Sequence, residues 1–345
     1  MKQRTAMRSR QGGVALMIAL ILVALAAILA TKLSFDGFME RQRTTGVLAG
    51  DQAAQFGLGA EALAADILTL PGISSTGTSS PPAGSGTNAT NSSMVTLADP
   101  WAQPQPPLPI TPPNDPEGEP IGTLQGSLED MQGRFNLNNL GHFAGTVPDP
   151  APLAQFQRLL VAVGLEPTWA QMAQDWISAN NTSNGIQAVT GDSIYTQQSP
   201  PYRAGQYPMT SPSELMNLPG FGYERYRKIA PYVTALPSAV IQINICTAPA
   251  VVLESLADNL NGELGNAESL ANGRKTGCFP DMKTFQNIVG AKAYATASQW
   301  VGTSSSYFRL TTRISLGTSE FTLYSLLQRT AGGKITPILR SFGTT

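Results

Sequence analysis

Gly13-Val14-Ala15-Leu16-Met17 opens an apolar stretch that continues to Ala30 and decides where the rest of the chain lies. No charged residue occurs between Gln11 and Thr31. The leader before the stretch is basic and contains Lys2, Arg4, Arg8 and Arg10. A helix of about 20 apolar residues spans the roughly 30 Å hydrocarbon core of a bilayer. Because basic residues stay on the cytoplasmic side, the pattern predicts one membrane span, with everything after Thr31 across the membrane.

The glycine directly after the basic leader helps to distinguish two kinds of targeting segment. A leader that ends in glycine before an uncharged helix resembles a type IV prepilin signal. A prepilin peptidase cuts such a signal on the cytoplasmic face, and the helix remains in the product. The cut would fall between Gly13 and Val14. The alternative is a cleaved secretory signal, but the stretch ends in Thr31-Lys32-Leu33 without a small-residue cleavage site.

The composition is typical of an exported protein without a polyanionic partner. The 345 residues have a formal net charge of −1, and 13% of them are charged. Nucleic-acid binding requires a broad basic field, which this balance does not provide. The two cysteines, Cys246 and Cys278, favour a disulfide in an oxidising periplasm, with two buried free thiols as the alternative. With the single histidine, His142, they are too few for a usual zinc site.

The periodicity after the span first predicts a continued helix. Pro71-Gly72 ends it near Leu70, and one face carries Phe56, Ala60, Leu63, Ala64, Ile67 and Leu68. Residues 71–121 are rich in Gly, Ser, Thr, Asn and Pro, which predicts an irregular surface loop. Within this loop, Met94-Val95-Thr96-Leu97 is compatible with one short strand.

Strands and helices then follow one another. A strand at 134–137 is followed by a turn, which we expect the Asn138-Asn139 pair to close through side-chain bonds to the backbone. Residues 152–229 are mostly helical, and further helices are predicted at 248–260 and 281–289. Alternating residues at 307–316 and 320–327 predict an antiparallel hairpin, and 334–339 predicts an edge strand.

This order predicts an α+β fold, in which a long helix packs on a small antiparallel sheet and a large all-α domain is inserted. The predicted domains are a leader (1–13), the transmembrane and sheet-packing helix (14–70), a loop with the first part of the β domain (71–143), the helical insertion (144–300) and the C-terminal strands (301–345).

A series of short strings runs in order over nearly the whole chain. They are Asp130-Met131-Gln132-Gly133-Arg134-Phe135-Asn136-Leu137-Asn138, 200–203, 213–215, 230–237, 243–250, 306–310 and 326–329. Together with the leader and the frame, they resemble the K-type minor pseudopilins of type II secretion systems, the GspK family. The resemblance implies a pilin-like fold for the helix and sheet.

The resemblance also implies a noncatalytic subunit at the tip of a periplasmic pseudopilus, in complex with the I- and J-type minor pseudopilins and contacting other pseudopilins. It implies a Gram-negative inner-membrane anchor, cut by prepilin peptidase and methylated at the new N-terminus. The helical insertion would contact secreted substrate or the outer-membrane secretin, and no residue identifies which.

Two features of the sequence agree with a tip position. Most pilins carry a glutamate at the fifth position after the cut, where it neutralises the N-terminal amine of the subunit above. Here that position is Ile18. A carboxylate in lipid is costly, and a subunit without a neighbour above has no use for one. A large helical insertion would also crowd neighbours in the body of a filament, but not at its end.

The same resemblance implies a calcium site with fewer carboxylates than the family pattern. That pattern is Asp-Trp-Ile-Asp-x-Asp followed by Glu-Asp-x-x-Tyr. This chain has Asp175-Trp176-Ile177-Ser178-Ala179-Asn180 and later Gly191-Asp192-Ser193-Ile194-Tyr195. Asp192, Asn180 and Asp175 are the candidate ligands, and the lost charges weaken such a site. The alternative is an ordinary Asn/Gly turn.

Three other functions fit the sequence less well. An enzyme would need a catalytic group, yet His142 lies in a Gly-His-Phe turn without a nucleophile or nucleotide motif. Glu129 and Asp130 are adjacent, so on a strand they face opposite sides and cannot form an acid/base pair. Residues 218–222 resemble a DNA-binding helical hairpin, but the basic field is too small. A minor pilin of a type IV pilus would share the leader but not the internal strings.

Overall fold

The computed structural model describes residues 12–70, 94–112, 114–115, 117–141, 149–178, 193–237, 240–256, 271–272, 274, 278–279, 282–330 and 332–343. The α-helices are α1 (Gly12–Thr69), α2 (Pro150–Ala162), α3 (Thr168–Ile177), α4 (Ser193–Thr196), α5 (Gly222–Ile229), α6 (Ala250–Glu254), α7 (Met282–Val289) and α8 (Ala291–Ala297). The strands are β1 (Leu108–Ile110), β2 (Gly122–Asp130), β3 (Phe135–Asn136), β4 (Val233–Thr234), β5 (Ile243–Asn244), β6 (Val301–Gly302), β7 (Tyr307–Leu316), β8 (Ser319–Arg329) and β9 (Ile335–Phe342).

Helix α1 has an exposed N-terminal part and a packed C-terminal part. It is 58 residues long, and every side chain from Val14 to Leu48 is exposed. In the described part of the chain, α1 is the helix whose length and composition suffice to cross a membrane. Its second half packs against the other described residues.

Small residues let the second half of α1 lie close to the sheet. Ala53, Gly57, Ala60 and Ala64 are all buried and recur at helical spacing. A Cβ on Gly57 would lie 2.6 Å from Leu323 Cδ2, so a larger residue would push the helix away. The predicted face was right for Ala60, Ala64 and Leu68, which are buried. It was wrong for Leu63, which is 44% exposed because the small residues, not the largest ones, face the sheet.

The main sheet is antiparallel and has five strands in the order β1-β2-β7-β8-β9. Its centre is the predicted hairpin of β7 and β8, with Leu316 opposite Ser319 at the turn. The edge strand expected at 334–339 is present as β9, which is longer. The α+β class and the packing of a long helix on a small antiparallel sheet are therefore confirmed.

Three local predictions were wrong. Residues 94–97 form no strand, although the Val95 N–H donates to the Thr303 carbonyl at 2.8 Å. Instead, β1 lies inside the predicted loop, and the nine-residue β2 precedes the strand predicted at 134–137. The strand predicted at 134–137 is only the two-residue β3, which pairs in parallel with β4.

The helical block, residues 131–306, is inserted between β2 and β7. It joins the sheet where Asp130 lies opposite Phe308, beside Ala64 and Leu68 of α1. The opposite end of the sheet, at Leu316, packs against Ala53. Since α1 runs from Ala53 to Leu68 between these ends, the block lies at the end of the sheet farthest from the apolar span.

An ion pair between a buried carboxylate and a half-exposed guanidinium fastens α1 to the edge of the sheet. The Arg340 guanidinium donates to both carboxylate oxygens of Glu61, with N–O distances of 2.7 and 2.8 Å, and the Ser325 hydroxyl donates at 2.6 Å. Glu61 is only 6% exposed. The bidentate geometry couples the two side chains strongly, and removal of Arg340 would leave the buried carboxylate of Glu61 without its cation.

We therefore predict an interaction energy of about 2 kcal/mol between Glu61 and Arg340, because Arg340 is the cation that contacts the buried carboxylate among the described residues. A double-mutant cycle with Glu61→Gln and Arg340→Gln, followed by denaturant unfolding of the full chain in detergent, measures it. The exposed pair Glu224–Arg227 is the control and should give about 0–1 kcal/mol. Equal interaction energies for the two pairs would contradict the prediction.

Candidate functional site

The first candidate site is the N-terminal end of α1. Gly13 and Val14 both lie within this helix, near its first residue. Val14 is 65% exposed, and Ile18, the fifth residue after the predicted cut, is 53% exposed. The first turn of α1 carries no acidic side chain next to the predicted new N-terminus. The cleavage itself stays a prediction.

The second candidate site is the junction between the sheet and the helical block, centred on Asp130. Four donors converge on this buried carboxylate at the end of β2. The hydroxyls of Thr247 and Ser305 donate at 2.6 Å, the Asn244 amide at 2.9 Å and the Gln132 N–H at 2.8 Å. The donors come from widely separated parts of the chain, so one carboxylate holds them together.

Two amide side chains extend this junction in both directions. Asn244 also donates to the Val95 carbonyl at 2.9 Å, which ties in the segment that follows the loop after α1. Gln132 donates to the Gln242 carbonyl at 3.1 Å and accepts from the Ser306 N–H at 2.6 Å. Side-chain hydrogen bonds therefore fix both chain connections of the helical block, the one that follows β2 and the one that precedes β7.

The asparagine side chains after β3 reach distant segments. Asn138 donates to the Leu236 carbonyl at 2.8 Å and accepts from the Met209 N–H at 2.8 Å. Asn139 donates to the Ile241 carbonyl at 2.8 Å and accepts from the same residue's N–H at 3.2 Å. The predicted local turn closed by this pair was therefore wrong, because the buried amides find backbone partners about a hundred residues away.

Glu129 faces the opposite side of β2 from Asp130. It accepts from Arg309 at 2.6 Å and also forms an ion pair with Arg134. This geometry agrees with the expectation that the two adjacent acids cannot act as a pair. In the part of the chain that the structure describes, no three His, Cys, Asp or Glu side chains lie close enough to hold a metal ion.

The helical hairpin at 212–229 is held by its own side chains. Ser211 caps the 3₁₀ turn Pro212–Asn217 through a capping box with Glu214. Arg225 donates to the Gly220 and Phe221 carbonyls, and its guanidinium lies 5.3 Å from the centre of the Trp169 ring. The guanidinium of Arg225 therefore serves packing of the hairpin, not an open phosphate site.

The remaining sequence candidates are described only in part. Asp175 lies on α3 and accepts from Gln171 at 3.1 Å, whereas Asn180 and Asp192 lie outside the described residues, as does His142. In the structure, Cys246 and Cys278 form a disulfide in the buried core of the helical block.

Sequence reasoning missed the role of Asp130 and of Ser305. Asp130 was inside a quoted string, and an acid at the end of a strand next to apolar residues was the available signal. Nothing local marks Ser305, which becomes a partner only when β7 pairs with β2.

Comparison with known proteins identifies the relatives of this chain. Two sequence models, both described as type II secretion system protein K, match residues 133–238 and 243–304. The type II secretion system protein K of Pseudomonas aeruginosa is 29% identical over 98% of this chain and 94% of its own length. That of Klebsiella pneumoniae is 29% identical over 94% of each chain.

A solved structure shares the fold. It is a chain of the GspK-GspI-GspJ complex from the enterotoxigenic Escherichia coli type 2 secretion system, with a TM-score of 0.69 and 24% identity. The similarity covers 88% of this chain and all of that chain.

We predict that Asp130→Asn lowers the free energy of unfolding by about 1–3 kcal/mol. In either orientation, the new amide sets its NH₂ group against an N–H donor, from Asn244 or from Gln132. Denaturant unfolding of the full chain in detergent measures the loss. The comparison variant is Glu129→Gln on the opposite, half-exposed side of β2, which should cost less because solvent screens its ion pairs. An equal cost would contradict the role of the junction.

Two influences act on the pKa of the Asp130 carboxyl. Burial raises this pKa above its ordinary value of 3.8, and the hydrogen bonds from Ser305, Thr247, Gln132 and Asn244 oppose the rise.

Proposed function

Because the chain belongs to the protein K family of type II secretion systems and is a minor pseudopilin, we propose that it caps the periplasmic pseudopilus. Its partners in the tip complex are the I and J minor pseudopilins. The similar solved chain comes from a complex of GspK with GspI and GspJ, and this supports the same assembly here. The subunit has a structural role and performs no reaction of its own.

The position of the helical block carries this proposal. The block lies at the end of the sheet farthest from the membrane span, held there by the Asp130 junction. A further subunit stacked along the axis of α1 would contact the helical block instead of the end of the sheet. The block therefore suits the last subunit of an assembly and not one in its interior.

The membrane end supports the same position. Val14 becomes the N-terminal residue after prepilin peptidase cleavage, and the span holds the chain in the inner membrane with the folded part in the periplasm. Ile18 offers no carboxylate to the amine of a subunit above. Calcium binding by Asp175, Asn180 and Asp192 stays a prediction, as does contact of the helical block with secreted substrate or secretin.

We predict that co-expression with a prepilin peptidase yields a mature chain that begins at Val14. Gly13→Ala should abolish this cleavage, because the peptidase cuts after glycine. Gly12→Ala is the matched control and should be processed as wild type. Mass spectrometry of the N-terminal peptide distinguishes the products, and an intact wild-type N-terminus would contradict pseudopilin processing.

We also predict that the helical block is required for secretion but not for membrane insertion. Residues 132–305 can be replaced by a short glycine turn, since Asp130 and Phe308 are opposite each other. Asp130→Ser in the same variant removes the carboxylate that would lose its partners. Processing and membrane fractionation should remain as in wild type, while export of folded enzymes into the medium should be lost. Normal export without the block would refute the proposed role.

A further inference from the structure

The C-terminal end of α1 does not carry the charge that such a helix end favours. Its last turn contains Asp66 and no basic side chain. The final carbonyls of a helix have no partner within the helix, and they present the negative end of the helix dipole. Leu68 lies in this turn and is buried, so its carbonyl needs a donor from the protein. A positively charged donor from another element suits this position best.

Arg329, the last residue of β8, supplies this donor. Its guanidinium donates to the Leu68 carbonyl at 2.7 Å. The same guanidinium lies 5.2 Å from the centre of the Phe308 ring, and Trp101 packs edge-to-face against that ring at 5.4 Å. The hydrogen bond and the ring contact together hold the guanidinium in one position at the end of the helix.

The backbone of Arg329 leads directly to the Asp130 junction. Its N–H donates to the Ser306 carbonyl at 2.7 Å. The Ser306 N–H donates to the Gln132 side chain at 2.6 Å, and the hydroxyl of the neighbouring Ser305 donates to the Asp130 carboxylate at 2.6 Å. A continuous series of hydrogen bonds therefore runs from the end of α1 to residues that hold this carboxylate.

The charges near Arg329 belong to the same region. Burial lowers the pKa of Arg329, and the Asp130 and Asp99 carboxylates oppose this shift. Asp99 lies in the segment that follows the loop after α1, where it accepts from the Thr96 N–H at 2.8 Å. The positive charge of Arg329 thus acts on the junction as well as on the end of the helix.

A second polar attachment of α1 lies elsewhere on the sheet. Glu61 accepts from Arg340 on β9, and β8 separates this strand from β7 and from the junction. Loss of Arg340 should therefore loosen α1 at the edge of the sheet without a direct effect on Asp130. Arg329 and Arg340 bind the same helix at different places, which makes them a matched pair for experiment.

We infer that Arg329 is a positioning residue that couples the C-terminal end of α1 to the Asp130 junction. When this end of the helix frays, the guanidinium loses its partner and Arg329 no longer holds Ser306 firmly beside Gln132. The helical block is then less tightly attached to the sheet. Because every contact lies within this chain, the inference is independent of the proposed tip complex.

Hydrogen–deuterium exchange of the full chain in detergent tests the inference. Arg329→Met should raise the exchange rates of peptides that contain Val95 and Gln132 by at least about ten-fold, because a hydrogen bond from a charged donor is lost. Peptides around Gly317, at the opposite end of the sheet, should exchange as in wild type. The control Arg340→Met should leave the junction peptides unchanged. No rise with Arg329→Met, a uniform rise across the sheet, or an equal rise with Arg340→Met would overturn the inference.

The lysine variant separates the charge of Arg329 from its bulk. Arg329→Lys keeps a positive charge beside the helix end, although it loses the planar fork of the guanidinium. Its junction peptides should therefore exchange at rates closer to wild type than those of Arg329→Met. Equal rates in the two variants would show that the cation does not provide the coupling.

Direct weakening of the helix end provides a second measurement. Ala65→Gly destabilises the last turns of α1 without removal of a large side chain. In the wild-type chain it should raise the exchange rate of the Gln132 peptide by up to about five-fold. In Arg329→Met, where the hydrogen bond to the helix end is already absent, Ala65→Gly should cause no further rise. No rise in the wild-type chain, or the same rise in both chains, would refute the coupling.

Discussion

The convergence of four donors on the Asp130 carboxylate is the contact on which the two halves of this protein depend. A buried carboxylate is costly unless its oxygens are satisfied, so its donors must all be present together. They come from both chain connections between the sheet and the helical block and from a loop within the block. A shift of the helical block on the sheet would therefore expose the Asp130 carboxylate or break its hydrogen bonds. A polar contact here fixes orientation more tightly than an apolar one, which tolerates sliding.

Much of the frame follows from local sequence, and the rest depends on contacts that the sequence does not reveal. The hairpin of β7 and β8 was predictable because alternation and a turn at Gly317 are adjacent in the chain. Strand β2 was not, because Gly122 and Gly126 interrupt its alternation and its pairing with β1 and with the distant β7 stabilises it. Asn138 had the expected tendency to bond backbone, but its partners lie about 70 and 100 residues away. Local propensity does not specify such partners.

The candidate sites divide in the same way. The predicted cleavage site between Gly13 and Val14 is a linear sequence signal, which can be recognised without knowledge of the fold. The exposure of Leu63 is a consequence of how α1 lies on the sheet, because small residues such as Ala53 and Gly57 allow a close approach. Hydrophobicity alone favours the larger residues as the packed face. The steric requirement at Leu323 reverses that choice and leaves Leu63 outside.

The bare part of α1 between the membrane span and the sheet has a mechanical consequence. Residues 32–48 form about 25 Å of helix at 1.5 Å per residue, with every side chain exposed. Gly37 and Gly46 have open space around them and weaken the helix by about 1 kcal/mol each. Because this stem is long and unsupported, a small tilt of the membrane span produces a wide sweep of the helical block. Neighbouring helices in contact with the stem would prevent this sweep. A force directed along the helix axis from the membrane would then be transmitted to the helical block with little bending of the stem.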